Sequence, residues 1–345
     1  MAPPATPLRF LGAPGSPYTR KMRALLRYRR IDYRLLSQGT AVLAGLPRPK
    51  VQLLPTFYLP DADGKEVAVV DSTPLIRRFE AEFDGREVVP SDPAVAFIDY
   101  LLEDFADEWL TKAMFHYRWA YKADIEKAAA VLPLWQRVDV PQETVESISK
   151  MIAERQVGRL YVVGSNETTG PVIEESYRRF LRAFDAHLIR HPYLMGRRPG
   201  ASDFGTLGQL TQLVLFDPTP AAVTFEEAPR VVAWVDVMED LSGLDVTDDA
   251  WISRDDVAQS LREILVEAGR GYTPVMLANA DALARGAESV ECTVDGKPWV
   301  QQPFPYQGKC LQWLREQRAA LSADDRAAVD SWLAGTGCEA LFAGF

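Results

Sequence analysis

The chain has 345 residues, 47% hydrophobic and 25% charged, with a formal net charge of -10. That length and balance suit a folded protein with more than one domain and a substantial core. The negative charge argues against general affinity for nucleic acid or an anionic membrane, whose phosphates would repel it.

No run of about 18 apolar residues occurs, so no membrane insertion is expected. Met1 to Pro7 lacks the charged and apolar zones of a signal peptide, which makes a cytoplasmic location the expectation. Cys292, Cys310 and Cys338 are odd in number and clustered late, which is no disulfide framework. They read as free thiols away from any active site.

Leu8 and Phe10 suit a strand that runs into the Gly12-Ala13-Pro14-Gly15 turn. A helix follows, with Met22, Leu25 and Leu26 on its apolar face. Arg20, Lys21, Arg23, Arg27, Arg29 and Arg30 read as its solvated side. Ile31 to Leu35 returns as a strand, giving a β-α-β unit with parallel strands. A Gly- and Pro-rich segment then leads through a further helix to strands at Thr56–Leu59 and Val67–Val70, joined as a hairpin through Asp61-Ala62-Asp63-Gly64. A helix from Thr73 to Phe83 closes a thioredoxin-like order.

Composition breaks around Pro90-Ser91-Asp92-Pro93, and helical patterns dominate from Ala94 onward. One apolar stripe contains Phe97, Leu101, Phe105, Trp109 and Leu110; a second Val145, Ile148 and Ile152. A third runs from Ile173 through Phe180 to Leu188. Helices at about Asp203–Leu215 and Pro229–Leu241 extend the bundle. The last hundred residues predict helices at Val257–Ala268 and Pro274–Ala284, and a hairpin turning at Asp295-Gly296. Helices near Lys309–Leu321 and Asp324–Leu333 follow. The expected fold class is an α/β thioredoxin-like N-terminal domain (1–90), an all-α helical domain (93–241) and a helical and β-hairpin C-terminal extension (242–345).

Three phrases in the first ninety residues carry chemistry. Ser16-Pro17-Tyr18-Thr19-Arg20-Lys21 puts a hydroxyl at a helix start, Leu54-Pro55 is a candidate cis dipeptide before a strand, and Asp71-Ser72 opens another helix. Their order resembles the cytosolic glutathione transferase superfamily, over roughly the first 240 residues. Ser16 is similar to the serine of its serine-type active-site turn. The resemblance implies glutathione as co-substrate or cofactor, a small electrophile as second substrate, and a homodimer. The expectation of no nucleic-acid partner comes from the net charge of -10.

Under that resemblance Ser16 stabilises the thiolate, because a thiol with a pKa near 8.5 is mostly protonated at neutral pH and the anion is the nucleophile. Tyr18 is the rival hydroxyl. Leu54 pairs its backbone with the cysteinyl unit beside Pro55, Asp71 and Ser72 hold the γ-glutamyl end, and Gln52 and Lys50 are candidates for the glycine carboxylate. The plainer readings are an edge-strand proline for Pro55 and an ordinary N-cap for Asp71.

Arg198-Pro199-Gly200-Ala201-Ser202-Asp203 is similar to the start of the family's buried helix, with Asp203 as capping-box acid and Gly200 where a cap hydroxyl belongs. His187 and His191, four apart, lack the glutamate of a zinc motif, and no metal is expected. Phe115, His116, Tyr117, Trp119 and Tyr121 are candidate lining for the electrophile, with plain core as the alternative. The functional expectation is a glutathione transferase. The alternatives are a transferase-fold scaffold without catalysis, and a glutathione-dependent isomerase, ether-cleaving enzyme or dehalogenase.

Overall fold

The computed structural model describes residues 4–38, 41–135 and 137–344. β1 (Leu8–Leu11) leads into α1 (Pro17–Tyr28), capped by Ser16, and then β2 (Tyr33–Leu36). The helix expected next is only a 3-10 turn, Ala41–Gly45. The reason lies in Gly45, Pro47 and Pro49, which offer a helix neither length nor donors. β3 (Thr56–Pro60), β4 (Glu66–Val69) and α2 (Ser72–Glu82) complete the unit. The sheet order is β2-β1-β3-β4, with β1 parallel to β2 and the other pairs antiparallel. Phe10 pairs with Phe57 and their rings stack at 4.6 Å, while Phe79 meets Phe57 edge-on at 5.4 Å. Period-2 alternation in β1 and helical spacing in α2 thus converge on one core. This is the expected thioredoxin-like domain.

α3 (Pro93–Phe105) opens the helical region on an Asp92 cap, passes through a π-helical turn (Ala106–Leu110) and continues as α4 (Thr111–Ala120). α5 (Lys122–Val131), α6 (Gln142–Val157), α7 (Gly170–Leu188) and α8 (Ala201–Leu215) follow, then α9 (Pro218–Glu227) and α10 (Pro229–Met238). α8 is buried almost throughout and lies against α1. Gly208 permits that approach, since a Cβ there would stand 2.6 Å from the Pro17 carbonyl oxygen.

The N-terminus of α8 is capped by two acids. Asp203 accepts from the Gly200 N–H at 2.9 Å and the Leu194 N–H at 2.7 Å. Asp99, reaching across from α3, accepts from Ala201 and Ser202 at 3.2 and 2.9 Å, in place of a cap hydroxyl.

In the extension, α11 (Arg254–Ser260) is short and α12 (Arg262–Arg285) is continuous. The break expected at Pro274 is absent; the helix carries the half-buried proline internally, between the buried Thr273 and Val275, and packs as a whole on α3 and α7. β5 (Val290–Val294) and β6 (Lys297–Gln301) form the expected hairpin, turning at Asp295 and Gly296, both at positive φ. α13 (Pro305–Ala319) and α14 (Ala323–Leu333) close the chain. One apolar core runs through all of these parts; Phe342 near the C-terminus packs edge-on against Phe97 of α3. No helix among the described residues is long and apolar enough to cross a membrane.

The arginines of α1 are not the solvated face that their spacing predicts. Arg20, Arg23 and Arg27 all converge on Glu239 beyond α10, and Arg29 is buried on Glu80. Lys21 is fully buried.

Candidate functional site

A cavity of about 650 Å³ opens where the N-terminal unit, the π turn and the extension meet. Its volume is that of a small-molecule site. One wall comes from the thioredoxin-like unit. The Leu54–Pro55 bond is cis, and both residues line the cavity with Val51 and Leu53. Asp71 and Ser72 line it too, at the start of α2.

Asp71 has φ 86° and ψ 107°, a region that non-glycine residues enter at a cost of roughly 1–3 kcal/mol. Its carboxylate accepts no capping hydrogen bond of ordinary geometry at the start of α2. Its carboxylate instead accepts from the Tyr306 hydroxyl of α13 at 2.8 Å. Burial raises its pKa, against the pull of that hydrogen bond and of the Lys21 and Lys309 charges.

Ser16 stands at the N-cap of α1, where its Oγ accepts from the Thr19 N–H at 3.2 Å and lies 3.4 Å from the Leu54 carbonyl oxygen. The turn before it is pinned from the helical region. Arg118, ion-paired to Asp217, donates to the Gly15 carbonyl at 3.0 Å, while Arg20 and Gln212 donate to the Pro14 carbonyl at 3.0 and 3.2 Å. Tyr18 lines the cavity, but its hydroxyl is engaged with the Asp107 carbonyl at 2.8 Å. Burial and the Glu108 and Asp107 charges raise its pKa well above the ordinary phenol range. Gln52 and Lys50 are exposed on the loop before the cis dipeptide, and the cavity is lined by their neighbours.

The opposite wall holds residues that the sequence reading did not name. Asp104 precedes the π turn, Asp107 and Glu108 lie within it and Lys112 follows it; all four are buried and line the cavity. π turns inside helices commonly mark functional sites, because the extra residue redirects side chains. Beneath them Lys21 reaches Glu103 at 2.6 Å, Asp107 at 2.5 Å and the Ser72 hydroxyl at 3.1 Å, so the helix start of α2 is tied to α3 through a buried cation. Burial alone would lower the Lys21 ammonium, yet the two carboxylates more than offset it and raise its pKa. Burial pushes Glu108 up to about 8 and lowers Lys112 to about 8. The Lys112 ammonium donates to the Val163 carbonyl and to Gln301 of β6, both at 3.2 Å. Acids inside an otherwise apolar helical stripe were the available signal for this wall.

The extension supplies Phe304, Tyr306, Gln307, Lys309, Cys310 and Trp313. Cys310 therefore lines the cavity, contrary to the expectation that the cysteines lie away from the site. Burial and the Asp104 and Glu108 charges drive its thiol far above the ordinary range, so it is held protonated. The aromatic group at the end of α4 contributes no lining among the described residues. Tyr117 packs on Tyr177 and Tyr121, and Trp119 sits in a small cluster with Phe216. His187 is spent on the Tyr193 and Ser260 carbonyls, and no metal-binding group of side chains occurs among the described residues.

Residues 10–87 match the family model described as glutathione S-transferase, N-terminal domain. No curated protein matches the chain. Among solved structures it is similar to a tau class glutathione S-transferase from mango, Mangifera indica, with 18% identity and TM-score 0.40, covering 72% of this chain and 94% of that one. It is similar to a glutathione S-transferase from Rhodospirillum rubrum F11, with 16% identity and TM-score 0.42, covering 72% and 96%. A glutathione transferase family member from Pseudomonas fluorescens Pf-5, with bound S-(propanoic acid)-glutathione, has 18% identity and TM-score 0.36, covering 69% and 97%. The unit that carries the Ser16 turn, the cis Leu54–Pro55 bond and the Asp71 helix start is a glutathione S-transferase N-terminal domain.

Proposed function

We propose that the protein binds reduced glutathione in this cavity and activates its thiol for attack on a small electrophile. The observation that carries the reading is the convergence of the cis Leu54–Pro55 dipeptide and the Asp71–Ser72 helix start on one cavity wall, with Ser16 Oγ 3.4 Å from the Leu54 carbonyl oxygen.

In this reading the Asp71 carboxylate takes the α-amino group of the tripeptide and Ser72 the γ-glutamyl carboxylate, helped by the backbone at the N-terminus of α2. The Leu54 backbone pairs with the cysteinyl unit. A hydroxyl has one proton to give. When the cysteinyl N–H takes the Leu54 carbonyl, the Ser16 proton is released from that long contact and turns to the sulfur. A charge-assisted hydrogen bond and the positive end of α1 then favour the thiolate. Ser16 is preferred to Tyr18 because the Tyr18 proton is already committed to the Asp107 carbonyl. The remaining space, between Val162, Val163, Phe304 and Trp313, suits an apolar electrophile. A homodimer belongs to the same proposal and is tested by light scattering.

Calorimetric titration with glutathione tests the reading. The full chain is expected to bind with micromolar to millimolar affinity, and Asp71→Asn, which keeps a residue tolerant of positive φ while removing the charge, to bind at least tenfold more weakly, about the worth of one charge-assisted contact. Absence of binding by the unaltered chain overturns the proposal.

A further inference from the structure

The extension places a cation beside the acid assigned to the tripeptide's amino group. Tyr306, in the first turn of α13, donates its hydroxyl to Asp71 at 2.8 Å. Three residues on, Lys309 lines the same cavity. Its ammonium stands 4.1 Å from the centre of the Trp313 ring and 6.0 Å from that of Tyr306. The two rings meet at 89°, forming a corner under the charge. Among the described residues no carboxylate pairs with Lys309 within ion-pair distance, although Asp71 is near enough to feel its field. The side chain is exposed at the cavity mouth.

An amino-acid head carries opposite charges on groups attached to one carbon. An acid alone recognises any amine; an acid flanked by a free cation recognises the zwitterion. We propose that Lys309 is a specificity-determining residue of the tripeptide site, adding a charge to the Ser72 anchor of the γ-glutamyl α-carboxylate while Asp71 takes the ammonium on the same carbon. The assignment rests on the glutathione reading above. Tyr306 is the positioning residue: its hydrogen bond fixes the carboxylate of Asp71, and its ring with that of Trp313 holds the lysine ammonium against the cavity wall. The extension thereby adds an exposed cation at an end of the site where the N-terminal unit offers only Lys21, which is buried and engaged with Glu103, Asp107 and Ser72.

The plainer case is that the start of α2 holds the carboxylate by itself, its backbone N–H groups and Ser72 supplying donors without help from Lys309. Two peptides separate the cases: glutathione, and 4-aminobutyryl-cysteinyl-glycine, which is glutathione without the α-carboxylate. In calorimetric titrations of the full chain, Lys309→Gln is expected to lower glutathione affinity roughly three- to tenfold, the scale of a partly exposed charge pair, and to leave the truncated peptide within about twofold. Lys309→Arg should retain the preference for glutathione. Lys309 is exposed, so folding is not at issue. Unchanged glutathione affinity in Lys309→Gln, or an equal loss for both peptides, overturns the proposal while leaving the glutathione reading intact. Failure of the unaltered chain to bind glutathione overturns the reading itself.

Discussion

Gly200 and Asp99 compete for one space at the start of α8: a Cβ on residue 200 would lie 2.3 Å from Asp99 Oδ1. The glycine is what lets an acid from another helix do the work of a cap hydroxyl. Asp99→Ala is expected to cost about 1–3 kcal/mol by orphaning the buried Ser202 N–H, while the Ala201 N–H keeps the Val88 carbonyl at 2.8 Å. Gly200→Ser alone should also destabilise, by collision. The double variant, with the hydroxyl in the vacated space, should lose less than the sum of the single losses, by about 0.5–3 kcal/mol of coupling. Urea unfolding of the four proteins measures it; strict additivity would contradict the shared space.

Ser16 has two separable duties, as cap of α1 and as partner of a bound sulfur. Alanine removes both, whereas glycine at an N-cap keeps the capping energy to within a few tenths of a kcal/mol, against about 1 kcal/mol lost with alanine. Both variants are expected to raise the pKa of bound glutathione by about 1 unit, read from thiolate ultraviolet absorbance against pH. Only Ser16→Ala should lose appreciable stability. A thiol shift confined to the alanine variant would assign the effect to the helix rather than to the hydroxyl.

Lys21 neutralises two carboxylates where α1, α2 and α3 meet. Lys21→Met leaves Glu103 and Asp107 buried with one cation fewer and is expected to cost about 3–5 kcal/mol. Adding Glu103→Gln and Asp107→Asn should recover most of that loss. Denaturant unfolding checks both, and a loss below about 1 kcal/mol for Lys21→Met would mean that the carboxylates are not held by this charge.

Burial pushes Asp99 and Asp104 up to about 7, Asp107 to about 6, and Glu108 and Asp203 to about 8. An acid raised above its unfolded value near 4 binds more protons folded than unfolded, so its contribution is complete below about pH 4 and is lost as pH rises through the folded value. Glu103 behaves oppositely. Burial would raise it, but Arg77 and Lys21 bring it down to about 2, so its contribution is present above its unfolded value and lost as pH falls toward 2. His187, lowered by burial, also favours the folded state as pH rises toward its ordinary range. The net expectation is falling stability from about pH 6.5 to 8, at about 1.4 kcal/mol per pH unit for each proton involved. Asp203→Asn should flatten that slope by about one proton. A rising profile over this interval contradicts the assignment.

Much of the fold was legible because its signals are local. Alternation in β1, the turn chemistry of Asp295-Gly296 and the acid of the α8 capping box each sit within a few residues of what they determine. The cis Leu54–Pro55 bond was legible for the same reason. The α1 arginines misled because helical spacing says which residues share a face but not what packs against it; Glu239 is more than two hundred residues away from Arg20, Arg23 and Arg27. Pro274 misled because a proline's cost inside a helix is local, whereas the packing that keeps α12 continuous comes from the burial of the rest of the helix, against α3 and α7 among others.

The sequence alone determined the thioredoxin-like unit, the helical region after it and the motif positions Ser16, Leu54–Pro55 and Asp71–Ser72, since backbone preference and apolar periodicity act over one or two turns. Only the tertiary structure decided what faces those motifs. It turned α3 through a π turn so that Asp107 and Glu108 meet the cavity, buried Lys21 beneath Ser72, and folded the extension back so that Tyr306 reaches Asp71. Those contacts join residues up to 235 positions apart, and distance along a chain carries no periodic signal; they exist because one continuous core draws the N-terminal unit, the helices and the extension around the same space.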